Sequence, residues 1–243
     1  MKRIIAIICA FSMIVSLAAC GNQAKKTDAK NKKTSSASSK VMVDYRHKTE
    51  KYLYQKDNKD YTANYPQLSP EAPSYQKVND LMKNAAMQTI LSMGLKKTTE
   101  TMTVKVKSNL TYYSNDFVSA TFDETSYVST AAHPNAAFRT VNFDLKNGNA
   151  VTTADLIVNS DALKAALLEA AKKQLKGDMK AAVTADVIKT GVESCSIYFN
   201  KTSVGFSLEV PHPLGDHIEL ELKYKDVKPF ITKNAIWNTM IAK

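Results

Sequence analysis

Residues 99–148 read TETMTVKVKSNLTYYSNDFVSATFDETSYVSTAAHPNAAFRTVNFDLKNG, and the spacing of their apolar side chains decides the fold class. From Thr99 the period falls to two, through Met102, Val104, Val106 and Leu110. It continues through Phe117, Ala120, Phe122 and Tyr127, and then through Phe138, Val141, Phe143 and Leu145. Alternation places one set of side chains on one face of a pleated strand, so the stretch predicts three antiparallel strands. The Asn147-Gly148 pair that closes it predicts a two-residue type I′ hairpin, a turn whose central residues both need positive φ.

Upstream, Val43, Tyr45, Tyr52, Tyr54, Tyr61 and Tyr65 alternate with polar residues and are broken by Asp57-Asn58-Lys59-Asp60, which predicts a hairpin over 41–65. Pro66, Pro70 and Pro73 are expected to stop strand pairing. Ser74 then stands as the cap of a helix whose inward positions are Val78, Leu81, Met82, Ala85, Ala86 and Ile90, running to Gly94. Downstream, a second helix is predicted from Ser160 to Lys176, with Leu163, Leu167, Ala170 and Ala171 inward and Gly177 beyond its end. Alternation resumes at 196–200, 204–210 and 217–223, and a short helix carrying Ile236, Trp237 and Met240 ends the chain. The expected class is α+β: a mostly antiparallel sheet with two main helices and a short C-terminal helix.

The 243 residues are 44% hydrophobic and 23% charged, which excludes collagen, coiled coil and wholesale disorder. Seven glycines, none closer than ten residues to the next, cannot build a dinucleotide fingerprint, a P-loop or a nucleophile elbow. Cys9, Cys20 and Cys195 form no CxxC pair, and the four histidines form no HExxH. No cofactor is implied. Cys195, in an alternating stretch, is expected to be a small core residue on a strand.

The first residues carry an address. Lys2 and Arg3 precede an uncharged run from Ile4 to Ala19 that ends Leu17-Ala18-Ala19-Cys20-Gly21, the layout of a signal peptide. The run is shorter than the roughly 20 residues of a spanning helix. It resembles the lipobox of bacterial lipoproteins, which implies cleavage before Cys20 and acylation of its thiol. Two or more acyl chains give stable anchoring, so the chain is expected at the outer face of the bacterial cytoplasmic membrane, with the bilayer as a partner through Cys20. Residues 20–40 hold six lysines against Asp28 and lack large apolar side chains, so they are expected to be a disordered tether spanning roughly 25 Å. The lysines are read first as solvated, and contact with anionic lipid or wall polymer is the alternative. Leader and tether carry +2 and +5 of the net charge of +10, leaving +3 for residues 41–243. The export signal argues against nucleic acid as a partner.

Four groups of residues are candidates for chemistry or recognition, and the first three each have a bland reading beside them. Ser74-Tyr75-Gln76-Lys77, Tyr113-Ser114-Asn115 and Lys189-Thr190-Gly191 spell the SxxK, YxN and KTG elements of penicillin-recognising serine enzymes. Each is cheap by chance in a chain rich in serine and lysine, and no enzyme activity is expected. His212, Asp216 and His217 offer metal-ligating side chains without a dependable third partner, so a solvated hairpin tip is preferred and no metal is expected. The tyrosines at 45, 52, 54, 61, 65 and 75 are either half-buried packing or, where exposed, a surface for glycan or protein.

The fourth group is Ala131-Ala132-His133-Pro134-Asn135 followed by Val141-Asn142-Phe143-Asp144-Leu145-Lys146-Asn147-Gly148. With Val151 to Leu156, Phe199-Asn200, Phe206 and Pro211-His212-Pro213-Leu214-Gly215, it resembles the extracellular C-terminal domain of RsiV, the lysozyme-sensing anti-sigma factor, over about residues 45–230. That domain also occurs in bacterial lipoproteins and beside polysaccharide deacetylases. The resemblance implies one domain at 43–232, after a leader at 1–19 and a tether at 20–42, with a cap at 233–243. It implies a non-enzymatic envelope binding protein with lysozyme as the suggested partner; a glycan or cell-wall polymer is the alternative. His133, Asn135, Pro211 and His212 are the candidate ligand-binding residues, on two turns joining strands that the resemblance places in one sheet; for His133 the reading set first is structural, a ring hydrogen-bonded to loop backbone. Thr130 and Ala131 stand where the family has glycines, and His212 where it often has an aromatic residue. Neither an anti-sigma segment nor a spanning helix is matched here, so transmembrane signalling is not expected.

Overall fold

The computed structural model describes residues 43–69 and 73–241. The signal peptide, Cys20 and the tether lie outside the described residues. Strands β1 (Arg46–Lys56) and β2 (Lys59–Ser69) form the expected hairpin, helix α1 covers Pro73–Met93, and β3 (Met102–Tyr113), β4 (Phe117–Val128), β5 (Asn135–Asp144) and β6 (Asn149–Ala150) follow. These strands lie in sequence order in one six-stranded sheet, antiparallel throughout except for the parallel pair β2–β3 that α1 connects. Val78, Met82, Ala86 and Ile90 of α1 are buried with Tyr61, Val104, Val106, Ala120, Phe122 and Phe143 on one face of this sheet.

The type I′ turn is not at Asn147-Gly148. It is Asp57-Asn58, with φ of 52° and 61°. At residues 145–148 only Gly148 has positive φ, and the connection takes four residues, closed by the Gly148 N–H on the Asp144 carbonyl at 2.8 Å. The Asp144 carboxylate accepts from the Asn147 N–H at 2.9 Å, stabilising an Asx turn that outcompetes the tighter hairpin.

Nor does Pro66 stop pairing, because β2 runs to Ser69 with Pro66 opposite Thr49. Counting from the closing pair Lys56–Lys59, that pair is of the kind that exchanges no hydrogen bonds, so the missing N–H falls on the side away from β1. Pairing with β3 has already ended there, at Ala63. The next free groups on that side, N–H and C=O of Leu68, are both taken by the buried side chain of Asn79 on α1, at 2.8 and 3.0 Å. Because α1 begins at Pro73, whose fixed φ suits the first helical position, Ser74 is inside its first turn and is not its cap.

The later strands form a second sheet. Helices α2 (Thr153–Leu156), α3 (Asp161–Gln174), α4 (Gly177–Ala182) and α5 (Ala185–Glu193) precede β7 (Ser196–Phe199), β8 (Ser203–Glu209) and β9 (His217–Lys223), which pair antiparallel among themselves; α6 (Tyr224–Val227) and α7 (Ile236–Ile241) end the chain. Ser160 caps α3, and Leu163, Leu167, Ala170 and Ala171 are buried as the periodicity required. Gly177 opens α4 and does not end α3, which stops at Gln174. Neither α4 nor α5 is among the predicted helices: α4 buries no residue and has no side-chain cap, whereas α5 carries a local signal in its Thr184 cap and the spacing of Ile188 and Val192. Ile236, Trp237 and Met240 are buried, and the indole N–H donates to the Leu156 carbonyl at 2.9 Å.

The two sheets are joined by a buried polar network. Ser119 donates to Oδ1 of Asn142 at 2.7 Å, Nδ2 of Asn142 donates to the Ile197 carbonyl at 2.7 Å, and the Phe199 N–H donates to Ser119 Oγ at 3.0 Å. Side chains of β4 and β5 thereby supply the hydrogen bonds that the outer edge of β7 lacks.

Candidate functional site

His133 lies in the turn between β4 and β5. The turn is anchored by the Ala131 N–H on the Val128 carbonyl at 2.8 Å and by Ser129 Oγ, which accepts from the Thr101 N–H at 3.0 Å. Thr130 and Ala131 adopt no positive φ, so the turn needs no glycine at either position. His212 lies in the connection between β8 and β9. There Pro211 to Leu214 tighten into a single 3₁₀ turn, with the Leu214 N–H on the Pro211 carbonyl at 2.7 Å. Gly215 and Asp216 follow with φ of 92° and 68°, a left-handed pair that aspartate tolerates better than most residues.

The turns leave different sheets, β5 being in the first and β8 and β9 in the second, which corrects the expectation of a shared sheet. They meet nonetheless. The imidazoles of His133 and His212 stack with centroids 3.5 Å apart and planes 17° from parallel. Asp216 fixes the arrangement: Oδ1 is 2.7 Å from Nδ1 of His212, and Oδ2 accepts from the Ala136 N–H at the start of β5, also at 2.7 Å. Burial pushes the Asp216 carboxyl up, but the Ala136 amide and the two imidazoles outweigh it and hold the group below its ordinary value. Nδ1 of His133 lies 3.3 Å from the Pro134 carbonyl, and both rings remain exposed.

Of the sequence-derived candidates, His133, His212 and Asn135 therefore fall in one neighbourhood, with Asn135 exposed at the first position of β5. Pro211 is exposed and also borders a cleft with Asp186, Val187 and Thr190. Asp216, a metal-ligating residue type by sequence, is instead the clamp, a role whose one sequence signal is an Asp after Gly215 able to take positive φ. His217 turns from this group to lie on Phe138, ring centroids 5.1 Å apart. Among the described residues no group of three His, Cys, Asp or Glu side chains is placed to hold a metal ion.

Beside the histidine pair lies a cleft of about 440 Å³ lined by Phe138, Ser194, Ser196, Ser207, Glu209 and His217, among others. The six tyrosines weighed as a binding surface are packing residues: Tyr45 and Tyr61 are buried, and Tyr52, Tyr54, Tyr65 and, on α1, Tyr75 lie half-buried against the same core. The three penicillin-enzyme elements lie on separate elements of the fold. Lys77 donates to the Gly148 carbonyl, Asn115 to Asp44, and Lys189 lies on α5. Cys195 stands one residue before β7, and burial, with the charge of Glu193 adding to it, pushes its thiol up to about 11.

No sequence-family description and no curated protein matches the chain. Among solved structures, the fold is similar to that of a DUF3298-family protein from Bacteroides fragilis, with a TM-score of 0.59 and 14% identity over 84% of this chain and all of that one. A DUF3298-family protein from Pseudomonas aeruginosa PAO1 aligns over 79% of this chain and 95% of its own, at 13% identity and a TM-score of 0.47. The first likeness shows a shared α+β fold. Among the described residues no helix is long and apolar enough to cross a membrane.

Proposed function

We propose that the chain is a non-enzymatic binding protein of the bacterial cell envelope, anchored to the cytoplasmic membrane through acylated Cys20, that captures its ligand at the edge formed by His133, Asn135, Pro211 and His212. The observation that carries this reading is the clamped imidazole stack. Two exposed rings on turns of separate sheets gain little from burial, yet a carboxylate bonded to His212 and to the Ala136 N–H at the start of β5 holds them in register. Exposed groups fixed in this way lose little freedom when a ligand arrives. The motifs that resemble the RsiV domain suggest lysozyme as the ligand, and the likeness to the Bacteroides fragilis structure is one of fold alone. Lysozymes are usually cationic, and residues 41–243 at +3 give no steering; Glu209 and Asp216 supply local negative charge instead. The serine hydroxyls and Phe138 in the adjoining cleft favour a wall glycan as the second reading.

The test is capture of the full chain, solubilised in detergent, on immobilised lysozyme and on purified peptidoglycan. The His133→Ala/His212→Ala variant is expected to lose capture at least tenfold, with its thermal midpoint within a few degrees of wild type. Unchanged capture with a large loss of stability would make the rings structural. Replacing Cys20 with Ala is expected to abolish palmitate labelling, and continued labelling would refute the anchor.

A further inference from the structure

Strand β5 pairs with β4 along its whole length but with β6 only at Phe143 and Asp144. Its register with β4 is unbroken, so residues alternate strictly between bonding β4 and bonding outward. Two contacts fix which are which. The Ala136 N–H goes outward to Asp216, and the Asn142 carbonyl accepts outward from the Val151 N–H at 2.9 Å. By the same alternation the N–H and C=O groups of Phe138 and Thr140 point outward, and no described residue bonds to them. A carboxylate closes one end of this window and β6 closes the other, leaving the middle open.

The two faces of the edge differ. Arg139 and Val141 turn toward α1, where Nη2 of Arg139 donates to Thr89 at 3.0 Å. Phe138 turns the other way, onto Tyr198 and His217 of the second sheet. A cleft of about 590 Å³ on the helix side is lined by Leu81, Ala85 and the exposed Leu91. The cleft on the other side offers Ser194, Ser196, Ser207 and Glu209. Glu209 makes no hydrogen bond or ion pair among the described residues.

We infer that the open edge of β5 at Phe138 and Thr140 is a docking site for an extended segment of a partner protein, which adds to the sheet as a strand and carries apolar side chains alternating with basic ones. Unpaired strand groups select an extended backbone, because only that shape meets N–H and C=O at the ladder spacing. Alternation follows from the faces: every second side chain enters the apolar space against α1, and the others meet the serines and Glu209. A folded surface as broad as another sheet edge does not suit a window recessed between a helix and a sheet. The site adjoins the histidine edge but does not rest on the capture proposed there.

The probe is a fluorescent, end-blocked Lys-Val-Lys-Val-Lys-Val peptide titrated into the full chain in detergent. Saturable binding is expected, with at least tenfold slower hydrogen exchange at the Phe138 and Thr140 amides. Methylating alternate backbone nitrogens of the peptide should weaken binding at least tenfold. Thr140→Pro should do the same, since it removes an outward N–H and leaves the β4 ladder intact. Exchange of Lys for Glu in the peptide should also weaken binding. His133→Ala/His212→Ala should bind the peptide as wild type does. Absence of saturable binding, equal affinity for the methylated peptide, or protection elsewhere than at Phe138 and Thr140 would overturn the proposal, and the methylated peptide decides even if Thr140→Pro fails to fold.

Discussion

The six-stranded sheet buries one face under a single long helix, whereas the three-stranded sheet is enclosed by short helices drawn from both sides of it in sequence. In the first, four of the five strand pairings join neighbours through short turns, so most of its ladder is local. In the second, the core depends on contacts far apart in the chain, such as the Trp237 indole on Leu156, or the Phe117 ring of the first sheet edge-on to Phe199 at 5.0 Å. The difference teaches where each region is brittle. The first can accept turn changes at modest cost, while the second and the seam between them are sensitive to single atoms.

The largest break is expected at Gly205, where an added Cβ would sit 2.1 Å from Cζ of Tyr198, whose hydroxyl is held by Glu219 at 2.7 Å. The ring cannot yield without losing that bond, so Gly205→Ala should destabilise the protein by about 3 kcal/mol in urea unfolding. A loss near zero would mean that the second sheet repacks freely. Asn142→Ala removes the link to the second sheet at the Ile197 carbonyl, which it leaves unpartnered, and the support of Ser119, with an expected cost of about 2 kcal/mol. A double-mutant cycle with Ser119→Ala should show strong coupling, and additive effects would contradict a shared network.

Asp216→Asn keeps a residue that tolerates positive φ but loses the carboxylate, and should cost about 1 kcal/mol at neutral pH. The folded pKa of Asp216 lies below its ordinary 3.8, so its stabilisation is complete above that value and is lost as pH falls through the folded one. Denaturation midpoints of wild type and Asp216→Asn should therefore differ at pH 6 and converge on acidification below pH 3.8; a gap persisting into strong acid would show that the clamp does not depend on charge. The smallest effect is expected in the first sheet. Gly148→Ala meets no atom within 4 Å but must hold φ of 69°, so it should cost about 1 kcal/mol or less, with the β5–β6 turn intact.

Periodicity made most elements legible. The alternation of 102–145 gave three strands, the Ser160 cap and the 3.6 spacing gave α3, and the apolar triad Ile236, Trp237 and Met240 gave α7. Local competition explains the errors: the Asp144 side chain reorganised the Asn-Gly turn, and the register of β2 turned Pro66 harmlessly outward. Asn142, quoted from sequence only as part of a motif, is the seam between sheets.

By itself the sequence determined most of the strands, the two long helices and that the class is α+β, because side-chain period and turn chemistry are local properties of the chain. It also placed His133 and His212 on turns between strands. Only the tertiary structure decided that the strands divide into two sheets, that Asp216 draws the two turns into a ring stack, and that β5 keeps part of its edge open. Each of these depends on which edge meets which, and an edge pairing is a contact between distant residues that no local pattern encodes.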